Sequence, residues 1–192
     1  MTRPQPPDGD PVLRQALKCA RAGWPVFPCH PGQKRSATPN GYLDATTDPA
    51  QVRAWFHHRP GLNLAVATGA PGPDVLDADY RGPDADGFPA LERLRDAGLV
   101  QGTFAVIQTP NEGFHLYFEG SGQSSAQLPD HHLDFLAQGG YVLLPPSQVG
   151  GRRYDGVNVA SGHGALDWDA CTRVLGPARE GRREPPEHEA GA

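Results

Sequence analysis

Past residue 60 the apolar residues come in runs too short to be buried helices. "LNLAVATG", "DVLDADY", "TFAVIQT", "FHLYFEG", "LDFLAQ" and "YVLLPP" follow one another, divided by Gly, Pro and polar turn formers. Runs of about four to eight residues bounded by chain breakers read as strands. Most of them succeed one another without a helix between, which favours antiparallel pairing. Ahead of them, "PVLRQALKCARAG" places Val12, Leu13, Ala16, Leu17 and Ala20 at helical spacing, and Gly23 closes it. "TDPAQVRAWFHHRPG" opens a second helix, with Thr47 or Asp48 as N-cap, Pro49 in the first turn and Val52, Trp55 and Phe56 as its stripe. "WPVFPCHPG" between them is interrupted by proline, an edge strand or a loop. A short helix at "GFPALERLRDAG" turns Leu91, Leu94 and Ala97 to one side. Helices early and antiparallel strands late make the fold class α+β rather than a doubly wound sheet. The strands Leu62–Ala67 and Val75–Tyr80 are expected to form a hairpin across "GAPGP", and Gly139-Gly140 a tight hairpin before Tyr141.

With 192 residues the chain fits one domain with a sizeable core. Its 24 Gly and 21 Pro are dense at the ends, where "MTRPQPPDGD" and "GPAREGRREPPEHEAGA" have little to bury. The expected layout is a tail over 1–10, a folded domain over 11–160, and an extension over 161–192 that is largely disordered from about 177. No apolar run reaches membrane-spanning length, and the N-terminus lacks the layout of a secretory signal. Cys19, Cys29 and Cys171 are widely spaced with no CxxC pair, which supports neither a zinc knuckle nor a disulfide framework. A cytoplasmic setting is expected. The net charge of −5 provides no basic face in bulk, so nucleic-acid binding has to be local or assisted by another chain.

The chemistry concentrates in three strands. In "DVLDAD" alternation puts Val75, Asp77 and Asp79 on one face and Leu76 and Ala78 on the other. Neighbouring carboxylates repel unless one is protonated or a cation lies between them. Magnesium suits such a pair, because it takes one or two carboxylates together with waters and phosphate oxygens. The plainer reading is two acids facing solvent at a strand end. In "TPNEGFHLYF", His115 and Tyr117 share a face behind a polar turn able to aim backbone N–H groups at a phosphate; a satisfied core histidine is the alternative. In "HHLDFLAQGG", Asp134 sits between Leu133 and Phe135, where a carboxylate needs a partner, a metal or a raised pKa; a turn-capping or edge acid is the alternative. His57–His58 and His131–His132 lack a third ligand at zinc spacing.

In this order the motifs resemble the N-terminal domain of bifunctional DNA primase/polymerases, a branch of the archaeo-eukaryotic primase superfamily carried by plasmids, phages and integrated elements. The likeness runs from about Ala16 to about Tyr154. "ALKCARAGWPVFPCHPGQKRSATPNGYLDATTD" looks like the family's leading section, "VLDAD" its first motif, "TPNEGFHLYF" its second and "LDFLAQGGYVLLPPS" its third. The resemblance implies a small sheet of the RNA-recognition type extended by an N-terminal α/β unit, with the active cleft between them. It implies Asp77, Asp79 and Asp134 as ligands for Mg2+ or Mn2+, and His115 as the contact to the incoming triphosphate. Lys34 would touch phosphate or template, and Gly113, Ser147 and Tyr154 would lie beside the nucleotide. The implied partners are a single-stranded DNA template and primer, nucleoside triphosphates, and a separate helicase or replication initiator, since no helicase section follows. One departure is Glu112, which stands where the second motif has glycine and adds a negative charge beside a triphosphate site. Two other readings stay open: a nucleotide-binding accessory domain without activity, and a D-x-D glycosyltransferase, which would call for a doubly wound sheet.

Overall fold

Each early helix begins on an aspartate. The computed structural model describes residues 10–57, 59–159 and 162–176. Asp10 accepts a hydrogen bond from the Val12 amide (2.8 Å) and Asp48 from that of Ala50 (2.9 Å), with Pro11 and Pro49 in the first turns, where a missing N–H costs nothing. The helices they start are α1 (Pro11–Arg21) and, after strand β1 (Val26–Cys29), α2 (Pro49–Phe56). Leu13, Ala16, Leu17 and Ala20 of α1 and Val52 and Phe56 of α2 are buried. Strand β2 (Asn63–Ala67) pairs with β1, and later with β8 (Tyr141–Leu144), in a three-stranded antiparallel sheet of order β1-β2-β8.

The remaining long strands form a six-stranded sheet. They are β3 (Asp74–Ala78), β4 (Ala105–Gln108), β5 (Phe114–Phe118), β6 (Ala126–Leu128), β7 (Leu133–Leu136) and β11 (Asp155–Val159), in the order β11-β4-β5-β3-β7-β6. Every pairing between them is antiparallel, which agrees with the α+β class. Two-residue strands β9 (Gln148–Val149) and β10 (Arg152–Arg153) make a separate ribbon. On one face of the large sheet, Leu76, Leu116, Phe118 and Phe135 pack against α3 (Phe88–Asp96) and α4 (Trp168–Leu175), with Phe135 and Trp168 stacked at 5.1 Å. On the other, Val75, Ile107 and Tyr117 share a core with α1, α2 and the three-stranded sheet, where Trp24 stacks on Tyr117 at 6.4 Å. Apolar residues cover β3 on both sides, which accounts for its unbroken burial.

Both expected hairpins are absent. β2 and β3 lie in different sheets, as do β7 and β8. The two connections cross between sheets side by side: Thr68 donates from its amide to Gly140 O (3.0 Å) and from Oγ1 to Ala137 O (2.7 Å), and Gln138 Nε2 donates to Ala70 O (3.0 Å). Glycine is required here for close approach, and at Gly69 also for a backbone φ of 82°. A Cβ on Gly69 would come within 2.7 Å of the Gln138 amide, and one on Gly140 within 2.7 Å of Thr68 Oγ1. β3 ends at Ala78 rather than Tyr80, and Tyr80 makes only an isolated bridge to Asp86. Ala97 is exposed, and α3 buries Ala90 and Leu94 instead. The terminal tails, apart from Asp10, lie outside the described residues.

Candidate active site

Strand register decides what meets Asp77. It lies directly opposite His115 on β5 and directly opposite Asp134 on β7. Opposed residues of antiparallel strands project to the same face about 5 Å apart, so Asp134, Asp77 and His115 form one row across three strands. Gln127 of β6 extends the row beyond Asp134, and Ile107 of β4 extends it beyond His115. Apolar pairs, Val75 with Tyr117 and with Leu136, stand next to it on the same face.

The middle of the row is nearly dry. His115 Nε2 lies 3.3 Å from Asp77 Oδ2, with side-chain exposures of 3% and 12%. His115 Nδ1 and Asp77 Oδ1 are buried and have no hydrogen-bond partner among the described residues. The Tyr154 ring sits 5.7 Å from the imidazole, and its hydroxyl pKa is pushed up by burial first, then by the charges of Asp77 and Asp79. The same two acids act on Asp134. Burial raises its pKa, Asp77 adds to the rise, Gln127 opposes it with a hydrogen bond, and Asp79 raises it further. Asp134 therefore feels the charge of both other acids, though only Asp77 stands directly opposite it.

Asp79 lies one residue beyond the strand. Its amide donates to His132 O (3.0 Å), and its Oδ2 is held by Arg81 Nη2 at 2.8 Å. Among the described residues, no three His, Cys, Asp or Glu side chains are grouped tightly enough to cage a metal. Two close carboxylates with an orphaned oxygen are nonetheless the hard-oxygen set that Mg2+ or Mn2+ takes, since such ions complete their shells with water and phosphate. Asp79 Oδ2 is engaged by Arg81, so a cation competes with this pair for that oxygen.

The other expected site residues divide. Gly113 is buried at the head of β5, and a Cβ there would come within 2.5 Å of Ala78 O, so this glycine lets β5 close on β3. Ser147 has its hydroxyl engaged with strand β2. It is buried, with its hydroxyl accepting from Leu64 N (2.8 Å) and donating to Leu64 O (3.1 Å). Its carbonyl accepts the Tyr154 amide (2.9 Å), so it supports the ring beside His115. Lys34 is exposed on the loop after β1, and its carbonyl accepts from Tyr141 OH (3.1 Å). No ion pair among the described residues ties it to the acids.

Glu112 lies at the surface beside Arg152. Its side chain is two-thirds exposed and lies 4.0 Å from Arg152 Nη1. Its backbone has φ 68°, the left-handed region that favours glycine. The departure from glycine at this position thus strains the turn more than it charges the row. Glu112→Gly should stabilise the protein by up to about 1 kcal/mol, the left-handed penalty less the entropic cost of glycine. Urea denaturation measures it, and a loss of stability would show that the loose pair with Arg152 outweighs the backbone strain.

Sequence reasoning missed Arg81 and Arg152, which face a cavity of about 380 Å3 with Tyr80, Gly82, Asn111 and Glu112. The signal available was the spacing of Arg81 two residues after Asp79 and the basic pair in "GGRRY". No curated protein matches the chain. The family described as "Bifunctional DNA primase/polymerase, N-terminal" matches residues 16–168, a span that holds both sheets and every residue of the row. By that match, the chain belongs to the bifunctional DNA primase/polymerase N-terminal (Prim-Pol) family.

Proposed function

We propose that this domain carries out metal-dependent, template-directed nucleotidyl transfer, extending or initiating a DNA strand with nucleoside triphosphates. The observation that carries the reading is the row Asp134–Asp77–His115 with Asp77 Oδ1 buried and unpartnered. Asp77 and Asp134 would hold the divalent ions, Mg2+ or Mn2+, with Asp79 as a third ligand. Bound there, such ions lower the pKa of the attacking 3′-hydroxyl and offset charge on the departing pyrophosphate. The chain's own residues set the geometry. The β3–β5 and β3–β7 rungs fix the acids side by side, and Tyr117, Tyr154 and Val75 exclude water beneath them. Template, primer and a separate helicase or initiator are the partners we assign, and replication of a plasmid, phage or integrated element is the setting. The exposed lysine loop at Lys34 offers a cation for a strand in an acidic chain.

His115 divides two versions of the mechanism. Its burial against Asp77 favours a positioning role, holding the carboxylate rather than gripping phosphate. A positioning role predicts that His115→Gln lowers kcat while the KM for nucleotide stays within about twofold. Direct triphosphate contact predicts the reverse. The glycosyltransferase reading has no doubly wound sheet to stand on. The inactive-domain reading rests on Glu112 and the acidic balance of the chain, and it predicts tight binding of a deoxynucleoside triphosphate with no incorporation on any template.

Asp134 links function to stability. Its raised pKa means that the folded state prefers the protonated acid. That contribution is fully present below the unfolded carboxylate value and is lost as pH rises through the raised one. Buried Asp74, raised mainly by desolvation, acts in the same direction. Asp134→Asn should therefore melt higher than wild type at neutral pH without divalent ions, by on the order of 1 kcal/mol or about 2–4 °C. The same variant should lose strand extension. Scanning calorimetry with and without Mg2+ checks the first half.

The test of function is primer synthesis and extension by the purified protein on single-stranded templates, with labelled ribo- and deoxynucleotides. Incorporation that depends on Mg2+ or Mn2+ and follows the template supports the reading. Incorporation that survives Asp77→Ala combined with Asp79→Ala overturns it.

A further inference from the structure

Two guanidinium groups face one cavity beside the acids, and each already has an acidic companion. Arg81 Nη2 lies 2.8 Å from Asp79 Oδ2, and Arg152 Nη1 lies 4.0 Å from Glu112 Oε1 while donating to Pro110 O (3.2 Å). Both arginine side chains are about two-thirds exposed, at 69% and 67%, so neither is locked into the fold. Arg153, the next residue, lines a different cavity with Pro11, Val12 and Leu62, as alternation along the ribbon requires. Arg152 is the ribbon's contribution to the cleft. In a chain of net charge −5, two cations converging on about 380 Å3 beside Asp79 need a reason.

We propose that this cavity takes the polyphosphate of the incoming nucleotide, gripped by Arg81 and Arg152, and that the Arg81–Asp79 pair couples nucleotide binding to metal binding. The inference rests on the nucleotidyl-transfer reading and adds to it two residues and a linkage. Arg81 neutralises Asp79 until a divalent ion takes the acid, and its planar fork is then available for phosphate oxygens, which it fits in bidentate fashion. An exposed pair such as Arg81–Asp79 is weak enough to exchange, worth about two- to fivefold in an equilibrium constant. Glu112 in turn keeps Arg152 near the cavity without burying it. The linkage is reciprocal: whatever loosens Arg81 from Asp79 favours both ligands together.

Phosphate could also reach the cavity as the backbone of a DNA strand, so the test separates the two sources. The full chain and its Arg81→Gln and Arg152→Gln variants are titrated with Mn2+ alone, followed by electron paramagnetic resonance, with dATP in saturating Mn2+, and with a single-stranded oligonucleotide. Arg81→Gln should bind Mn2+ about two- to fivefold more tightly and dATP about five- to tenfold more weakly. Arg152→Gln should leave Mn2+ unchanged and weaken dATP by a similar factor of about five to ten. Oligonucleotide affinity should hold in both. A merely structural role for Arg81 cannot give these opposite signs. Unchanged or weaker Mn2+ binding by Arg81→Gln, or unchanged dATP affinity in both variants, overturns the proposal. Loss of oligonucleotide affinity alone assigns the cavity to a strand and also overturns it. A wild-type protein that binds neither Mn2+ nor dATP brings down the nucleotidyl-transfer reading itself.

Discussion

Asp77→Asn is expected to reduce nucleotide incorporation by about a thousandfold or more while the fold stays intact. The substitution keeps shape and removes the charge from the one acid that touches both neighbours, His115 on one side and Asp134 on the other. A site whose work is electrostatic loses about 10²–10³ for a single misplaced donor, and an acid proposed as a shared cation ligand should weigh at least as much. Stability should not fall. Relief of charge beside Asp134 offsets the weakened contact to His115. Asp79→Asn should cost less, because Asp79 lies beyond the strand end and is shared with Arg81. Steady-state extension rates with far-ultraviolet circular dichroism separate the two effects. An Asp77→Asn protein that is folded and within about tenfold of wild type removes the acid from the mechanism.

The second large effect is on stability. In Gly113→Ala the new Cβ would stand 2.5 Å from Ala78 O and 3.2 Å from both Thr109 Oγ1 and the Tyr80 amide. The end of β3 cannot retreat, since the Asp79 amide is bonded to His132 O on the far side. Overpacking of this kind costs about 1–3 kcal/mol. It should also splay the rung that opposes Asp77 and His115, so activity should fall further than stability alone explains. Gly122→Ala, with open space around its Cβ, is the control and should be near neutral. Urea midpoints for the pair decide it. Equal stability in both variants would mean that β5 has room the geometry does not show.

Local chemistry was readable in the residues, while long-range pairing was not. "VLDAD" declared a buried strand ending in acids, and Asp134 declared a carboxylate inside an apolar run, because both break a pattern within a few residues. That Asp77 stands between Asp134 and His115 depends on register over 38 and 57 positions of separation, which no local pattern encodes. The two missed crossovers have the same origin. A Gly-Pro turn looks alike whether the chain returns along its own sheet or passes to another, and here close approach between residues 68–70 and 137–140 decided the matter. Two-residue strands such as β9 and β10 leave no periodicity to detect, so Arg152 went unplaced although its neighbours were recognised. Ser147 sits within a recognised motif, yet its hydroxyl is engaged with Leu64, a partner 83 residues away.

The proposed mechanism depends on a cation shared by the paired acids. Crystals grown with Mn2+ and a non-hydrolysable deoxynucleoside triphosphate, measured at the manganese edge, place the ion without recourse to activity. An anomalous peak bridging Asp77 and Asp134, with the triphosphate lying over it, is the result expected. A well-ordered nucleotide bound while both carboxylates stay unliganded, or manganese bound at some other group of residues, would contradict the account at its root.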